Sequence, residues 1–526
     1  MVRPAVIPGR LLRSAAALLC LCVALGPAGV LADPAPPYGL LADSVGFLES
    51  GGASRAHFGI LAVSLDRGDT LLAFEPDRRF IPASNMKLFT TGAFLRQFGP
   101  EARGVTRLAA LGKTRSRHGH LAVELQGVLT LRGSGYPDVV QLLHPGSRGL
   151  LDSLAYLLRQ SGLERFEGRL LVDGTLFARE PFGPGWAIDD LPFSYGAPVN
   201  AVLANGNAAT LIATATKGGV RLALDPPETP LLVVGRVALG DSSAAPRLSV
   251  SREPGSRLLR VSGVVPRGGT AKRQVAAPDP DSTAGLMLLG AMRRAGIEVR
   301  ATVEVVAPSA APDPAPPGIG WATVDRRETA TVVELESPPA AEVVAMVDAY
   351  SLNVETEALL RLLDPALTGK TAAQGLRRMA ALLADAGVDT LDLSLVDGSG
   401  LSPMNLATAR SFVQWLTALG RDPILGSLFH DTLAAPRNAG TLQKRFAALD
   451  DGAELRAKTG TLTNVSALSG YLNTADGERI VFSILSNGNR GGVATAHAVE
   501  EETVGLLSRF RRTMPEAARP VVGIPR

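Results

Sequence analysis

Both cysteines of this chain, Cys20 and Cys22, fall within its first 32 residues. Those residues have the layout of a leader. Arg3, Arg10 and Arg13 precede an apolar stretch over 15–25, and Pro27 leads to a small-residue exit at Val30-Leu31-Ala32. The apolar run is too short to span a bilayer and fits a secretory signal peptide. Neither Leu19 nor Leu21 supplies the small residue that a lipid-attachment cysteine wants before it. Cleavage after Ala32 is therefore expected to export a chain with no thiol, no disulfide and no cysteine metal ligand, whose fold rests on packing. No later stretch reaches the roughly 18 consecutive apolar residues of a spanning helix. The expectation is a soluble periplasmic protein with no transmembrane anchor once the leader is removed.

A chain of 526 residues, 46% hydrophobic and 20% charged, exceeds the roughly 250–300 residues that one core sustains, so two or more cores are expected. The net charge of +3 falls to zero when the three leader arginines leave. No run of five like charges occurs, which excludes nucleic acid as a partner on electrostatic grounds. The pattern along the chain divides in three. Residues 58–65 and 70–74 read as two strands around the turn Asp66-Arg67-Gly68-Asp69, and a helix opening near Ser84 ends at Gly99-Pro100. Residues 102–333 then change character: short β-like runs (121–131, 168–172) alternate with Gly/Pro turns around a helix at 150–160, and 205–275 reads as almost wholly β. A helix at 286–295 follows, then five prolines within 307–317. From 339 onward helices (339–350, 354–363, 371–386, 495–510) return among strands (391–396, 455–462, 480–485), with a fraying tail from Met514.

Lysine is scarce, with seven against 46 arginines, which makes lysine motifs informative. Ser84-Asn85-Met86-Lys87 is the only Ser-x-x-Lys in the chain. On a helix, residues three apart share a face, so Lys87 can set its amine beside Ser84 Oγ. A serine hydroxyl is a weak nucleophile that needs an adjacent base, and a lysine held away from water loses its proton more readily. Taken alone, the pair reads more readily as an N-cap serine with a solvated lysine. Lys458-Thr459-Gly460, followed by Thr461, is the only Lys-Thr-Gly. A strand at a cleft edge could offer the cation and hydroxyl to a substrate carboxylate, Gly460 leaving room for substrate backbone, whereas an isolated edge-strand lysine usually faces solvent. Ser351-Leu352-Asn353 lies at a helix-to-helix junction, where its hydroxyl could relay a proton and its amide could hold Lys87. Alone it reads as a helix cap.

Three motifs in this order are those of penicillin-recognising serine enzymes. The chain resembles the class C low-molecular-mass penicillin-binding proteins, the penicillin-binding protein 4 type of D-alanyl-D-alanine carboxypeptidase. The resemblance extends from Pro82-Ala83-Ser84-Asn85-Met86-Lys87-Leu88 through Asp397-Gly398-Ser399-Gly400-Leu401-Ser402 and Gly440-Thr441-Leu442 to Lys458-Thr459-Gly460-Thr461-Leu462-Thr463. The 264 positions between Lys87 and Ser351 match the large insertion of that family and exceed what ordinary β-lactamases carry. Within the insertion, Gly183-Pro184-Gly185-Trp186, Asp189-Asp190 and Tyr195-Gly196-Ala197-Pro198 are also similar, and by position Asp190 and Tyr195 would meet the peptide side chain. The competing reading of that stretch is a surface turn held by its aspartates.

The resemblance implies an α+β fold: a penicillin-binding-protein/β-lactamase-like transpeptidase domain, an antiparallel sheet flanked by helices, with large β-rich inserted domains. Its expected limits are a leader at 1–32, a discontinuous catalytic domain at 33–101 and 335–526, and an insertion at 102–334 with a nested β-rich subdomain near 205–275. The implied catalytic residues are Ser84, Lys87, Ser351 and Asn353, and the implied substrate-binding residues are Lys458, Thr459, Gly460, Thr461, Asp190 and Tyr195. Peptidoglycan stem peptides would be the substrate, β-lactams the inhibitors, and neither metal nor organic cofactor is called for. A homodimer stays open. The alternatives are a β-lactamase-like hydrolase or esterase and an inactive peptidoglycan-binding scaffold. Other patterns lead nowhere: Thr368-Gly369-Lys370-Thr371 lacks the leading glycine of a P-loop and reads as a helix start, and His118-Gly119-His120 has no further ligand pattern for zinc.

Overall fold

The computed structural model describes residues 39–42, 45–49, 55–117, 120–306, 321–322, 330–450, 452–490 and 492–512. The leader, the proline-rich 307–317 stretch and the tail from Met514 lie outside the described residues. All the elements below belong to one compact unit, Pro37–Arg526.

A five-stranded antiparallel sheet joins the two ends of the chain. Its order is Leu455–Leu462, Val465–Asn473, Arg479–Asn487, His57–Ser64 and Thr70–Phe74. Successive side chains point to opposite faces, and here both faces are covered. Leu61, Val481 and Leu485 enter one core with helices Met86–Phe98, Ala340–Tyr350, Asn353–Leu362 and Ala409–Gly420. Phe58, Ile60, Ala62, Ile480, Phe482 and Ile484 enter the other with helix Ala494–Arg509. Helix Met86–Phe98 is buried from Met86 through Leu95, with Lys87, Thr90 and Thr91 among the residues taken from water. Phe89 stacks on Phe412 at 4.5 Å, and Trp415 Nε1 donates to Leu88 O at 2.8 Å.

Two further layers lie between the ends in sequence. One is a six-stranded mixed sheet that includes Val105–Arg117, His120–Arg132, Leu163–Asp173 and Glu298–Val306, backed by helices Leu150–Gln160 and Pro280–Arg294. The other comprises two three-stranded sheets over 208–276, where the sequence reads as almost wholly β. Against expectation, 391–396 is not a strand. Residues Thr390–Asp392 form a 3-10 turn, and Ser394 makes only an isolated bridge to Leu406. Thr371 caps the helix Ala372–Asp385 by accepting from Gln374 N, the helix start that the P-loop-like stretch predicts. Strand Val465–Asn473 and helices Ala409–Gly420 and Gly426–Thr432 had no sequence expectation. Among the described residues no helix is long and apolar enough to cross a membrane, and no group of His, Cys, Asp and Glu could hold a metal ion.

Candidate active site

Ser84 does not open the α-helix itself but sits in a 3-10 turn, Ala83–Asn85, that feeds helix Met86–Phe98. The turn is tight. Ala83 is buried and held at φ 46°, a conformation that costs a non-glycine residue about 1–3 kcal/mol and persists only where its surroundings impose it. Two glycines let other segments close on it. A Cβ on Gly400 would stand 1.8 Å from Ala83 O, and one on Gly460 would stand 2.8 Å from Pro82 O and 3.0 Å from Ser84 N. Gly460 thus brings the edge strand Leu455–Leu462 against the Ser84 amide. Gly460→Ala is expected to force that strand away from the Ser84 amide at a cost of about 1–3 kcal/mol of stability, read from a thermal unfolding curve.

Lys87 is fully buried, and its Nζ has three neighbours: Ser84 Oγ at 3.0 Å, Asn353 Oδ1 at 2.6 Å and Ser399 O at 2.7 Å. The last two are carbonyl oxygens, which only accept. They take two N–H groups, so a neutral amine is left with its lone pair toward the one neighbour that can donate, the Ser84 hydroxyl. The orientation of Asn353 is itself fixed, because its Nδ2 donates to Tyr195 O at 2.9 Å. Burial pulls the Lys87 amine down to about 8, against the opposing pull of the buried carboxylates Asp397, Glu357, Asp348 and Glu355.

Ser351 ends helix Ala340–Tyr350 in the left-handed conformation, φ 60°, and Asn353 begins the next helix. Thr441 N holds the junction by donating to Ala349 O at 3.0 Å, which gives the Gly440-Thr441-Leu442 segment a structural task. Ser351 Oγ makes no hydrogen bond among the described residues. Three residues earlier, Asp348 is buried, accepts from Thr91 and Thr432 at 3.4 Å, and is raised to about 7 by burial, with the charges of Lys458 and Lys87 drawing it down. Sequence reasoning assigned it nothing.

Lys458 is also fully buried, contrary to the solvent-facing alternative for an edge-strand lysine. Its Nζ donates to Thr459 O at 2.9 Å, and burial and then the charge of Lys87 hold it well below the usual lysine range. Thr459 stays half-buried and Thr461 exposed at the strand surface. The amide of Asn85, inside the nucleophile motif, links this strand to the next: turned to satisfy both neighbours, it donates to Lys458 O at 2.9 Å and accepts from Ser469 Oγ at 2.7 Å.

The turn Asp397-Gly398-Ser399-Gly400 that receives Lys87 is gripped by two carboxylates. Asp397 Oδ1 accepts from Gly400 N (2.7 Å) and Asn405 Nδ2 (2.7 Å), and its Oδ2 from Ser402 N (2.7 Å) and Trp186 Nε1 (2.9 Å). Glu357 Oε1 accepts from Gly398 N (2.8 Å) and Ser399 N (2.9 Å). Trp186 belongs to the family-like stretch of the insertion, which therefore reaches the centre. Asp190 and Tyr195 meet each other, Tyr195 OH donating to Asp190 Oδ1 at 3.0 Å, and burial followed by that bond pushes the phenol up to about 12. Their tie to the centre is the backbone, through Tyr195 O and Asn353. Of the predicted residues, Ser84, Lys87 and Asn353 are in direct contact. Lys458 joins them through the charge of Lys87 acting on it, Gly460 through its approach to Ser84 N, and Ser351 only through the chain.

Over residues 46–510 the sequence matches the model of the D-Ala-D-Ala carboxypeptidase 3 (S13) family, and the chain belongs to that family. It is similar to the D-alanyl-D-alanine carboxypeptidase of Actinomadura sp. (strain R39), with 29% identity over 493 residues that cover 90% of this chain and 86% of the relative. It is also similar to D-alanyl-D-alanine carboxypeptidase DacB of Haemophilus influenzae, 24% identical over 83% of this chain and 86% of the relative. Among solved structures, penicillin binding protein 4 (dacB) from Haemophilus influenzae shares the fold, with a TM-score of 0.69 at 22% identity over 87% of this chain and 97% of that one. The class that the motifs resemble, the class C low-molecular-mass penicillin-binding proteins with their α+β transpeptidase fold, is thus the class of this chain, and its enzyme type is the serine-type D-Ala-D-Ala carboxypeptidase.

Proposed function

We propose that the chain is a periplasmic serine DD-peptidase, exported by the leader at 1–32, that cuts D-alanyl bonds at the ends or cross-links of peptidoglycan stem peptides through an acyl-enzyme on Ser84. One observation carries the reading: a buried lysine amine, drawn down to about 8, lies 3.0 Å from the hydroxyl of a serine in a strained turn, with its remaining hydrogens taken by two carbonyls. In this reading the catalytic domain comprises 33–101 and 335–526, and the insertion at 102–334, with its nested β-rich part near 205–275, supplies the substrate loop.

Lys87 takes the Ser84 proton as Oγ attacks the carbonyl between the two terminal D-alanines. The N–H groups of Ser84 and Thr461 receive the oxyanion, and losing such a donor raises the barrier by about 3–4 kcal/mol. Ser351 passes a proton to the departing amine. Lys458 and Thr459 hold the terminal carboxylate, Thr459 through its hydroxyl. Asn353 holds Lys87 and meets the substrate amide, while Asp190 and Tyr195 meet the peptide side chain. Water then releases the shortened peptide and restores Ser84. Penicillin enters the same route and leaves slowly, because its opened ring stays attached.

Labelling of the purified chain with a fluorescent penicillin is expected to be covalent and to vanish in Ser84→Ala. Folded protein that takes no label would favour an inactive scaffold. Release of D-alanine from a pentapeptide would separate a peptidase from a lactamase-like hydrolase.

A further inference from the structure

The loop that carries Asp190 and Tyr195 has a second face. It is closed at its neck, where Val199 N donates to Pro181 O at 2.8 Å. One side reaches the catalytic centre through Tyr195 O. On the other, Leu191 and Val199 join Phe177, Phe182, Val305 and Val306 in the walls of a cavity of about 490 Å³, within the size range of small-ligand sites. The cavity lies among the loop, the end of strand Glu298–Val306 and the segment 252–257 that follows strand Arg247–Ser251.

Its charged lining carries both signs, Arg179, Arg252 and Arg257 with Glu253, Asp279 and Asp281, and Arg252 has a nitrogen left without an acceptor. Arg252 Nη2 donates to Leu191 O at 3.3 Å, but Nη1 is buried with no hydrogen-bond partner, and the guanidinium forms no ion pair among the described residues. Burial lowers its pKa with no carboxylate charge pulling the other way. Asp281 also lines the cavity. Its Oδ1 accepts from Asn200 Nδ2 at 2.7 Å, and Asn200 is anchored in turn by Asn207 Nδ2 at 2.9 Å. Asp279 and Asp281 would repel a phosphate or other polyanion. The combination of a buried guanidinium nitrogen without an acceptor, acceptors for N–H groups and apolar walls matches a ligand that has a carboxylate, amide N–H groups and small side chains.

We propose that this cavity is a second, non-catalytic binding site for a short peptide with a free carboxylate, the carboxylate lying on Arg252 and peptide N–H groups on Asp281. That the natural ligand is a peptidoglycan peptide rests on the function proposed above; that the cavity takes a carboxylate peptide does not. The probe is N-acetyl-D-alanyl-D-alanine, titrated by calorimetry into the chain after its active site has been blocked with benzylpenicillin. One equivalent is expected to bind. Affinity should fall at least tenfold for the carboxamide of the same dipeptide and for Arg252→Ala, and less for Arg252→Lys, which keeps the charge but not the fork. If the blocked chain binds no dipeptide, or if acid and carboxamide bind alike, the site does not exist as described. Should Arg252→Ala fail to fold, the carboxamide comparison on the unaltered chain decides the question. Should benzylpenicillin not acylate Ser84, the functional reading falls, and the cavity is still judged by acid against carboxamide and by Arg252 against its variants.

Discussion

Replacement of Lys87 by methionine is expected to slow acylation of Ser84 by 10²–10⁴-fold, the usual contribution of a positioned base, while penicillin and peptide still reach the cleft. In the parent enzyme only the neutral amine accepts the serine proton. With the Lys87 pKa near 8, the acylation rate should rise about tenfold per pH unit on the acid side and level off as pH passes about 8. The direction follows from burial, which disfavours the ammonium and so brings the neutral form within reach of mild pH. Lys87→Met should leave a slow residual rate without that acid limb. Lys87→Arg should do no better, because a guanidinium keeps its proton throughout. Time courses of fluorescent-penicillin labelling from pH 5.5 to pH 9.5 would read both effects, and an unchanged acid limb in Lys87→Met would remove Lys87 from the role.

Much of this centre is legible in the sequence because its chemistry is confined to short motifs. Ser84 and Lys87 are three residues apart on one local turn, so local geometry alone predicts that their side chains can work together. The helices at 150–160 and 340–350 are equally legible, since apolar spacing and the breaks at their ends are local. What eludes sequence reasoning depends on long-range placement. Strand Val465–Asn473 contains Ser466, Ser469 and Gly470, which dilute its apolar pattern, yet all are buried between two neighbouring strands. Lys458 looks like an edge-strand gatekeeper until Asn85 and the nucleophile turn cover it. Asp348, Glu357 and Asp397 look like ordinary helix and turn carboxylates. Their burial depends on Thr91, Arg361 and Trp186, 257, 4 and 211 positions away, and only the near one of these lies at a spacing that a sequence pattern exposes. The expected strand at 391–396 fails for the same reason: an apolar run of β-like composition is drawn into a turn and one bridge, because Asn405 Oδ1 accepts from the Val396 and Asp397 N–H groups.

Glu357 is where those long-range terms have their largest consequence outside the motifs. Its Oε1 holds the N–H groups of Gly398 and Ser399, Oε2 meets Arg361 Nη1 at 3.1 Å with both side chains buried, and the carbonyl of the same Ser399 receives Lys87 Nζ. Glu357→Gln keeps the shape but strands the Arg361 charge, for which loss of one buried partner typically costs about 3–5 kcal/mol. A marked drop in thermal stability is therefore expected. Stability alone would not distinguish a positioning role, but the pH profile does. The Glu357 charge favours the Lys87 ammonium, so its removal lets the amine lose its proton sooner and should move the acid limb of acylation below about 8, while the loosened Ser399 carbonyl lowers the plateau. Adding Arg361→Met to Glu357→Gln removes the stranded cation and should recover much of the lost stability without restoring the plateau, because the Ser399 turn remains less firmly held. If the double variant regains full acylation together with its stability, Glu357 serves the core alone; if the acid limb stays where the parent has it, the electrostatic link from Glu357 to Lys87 is absent.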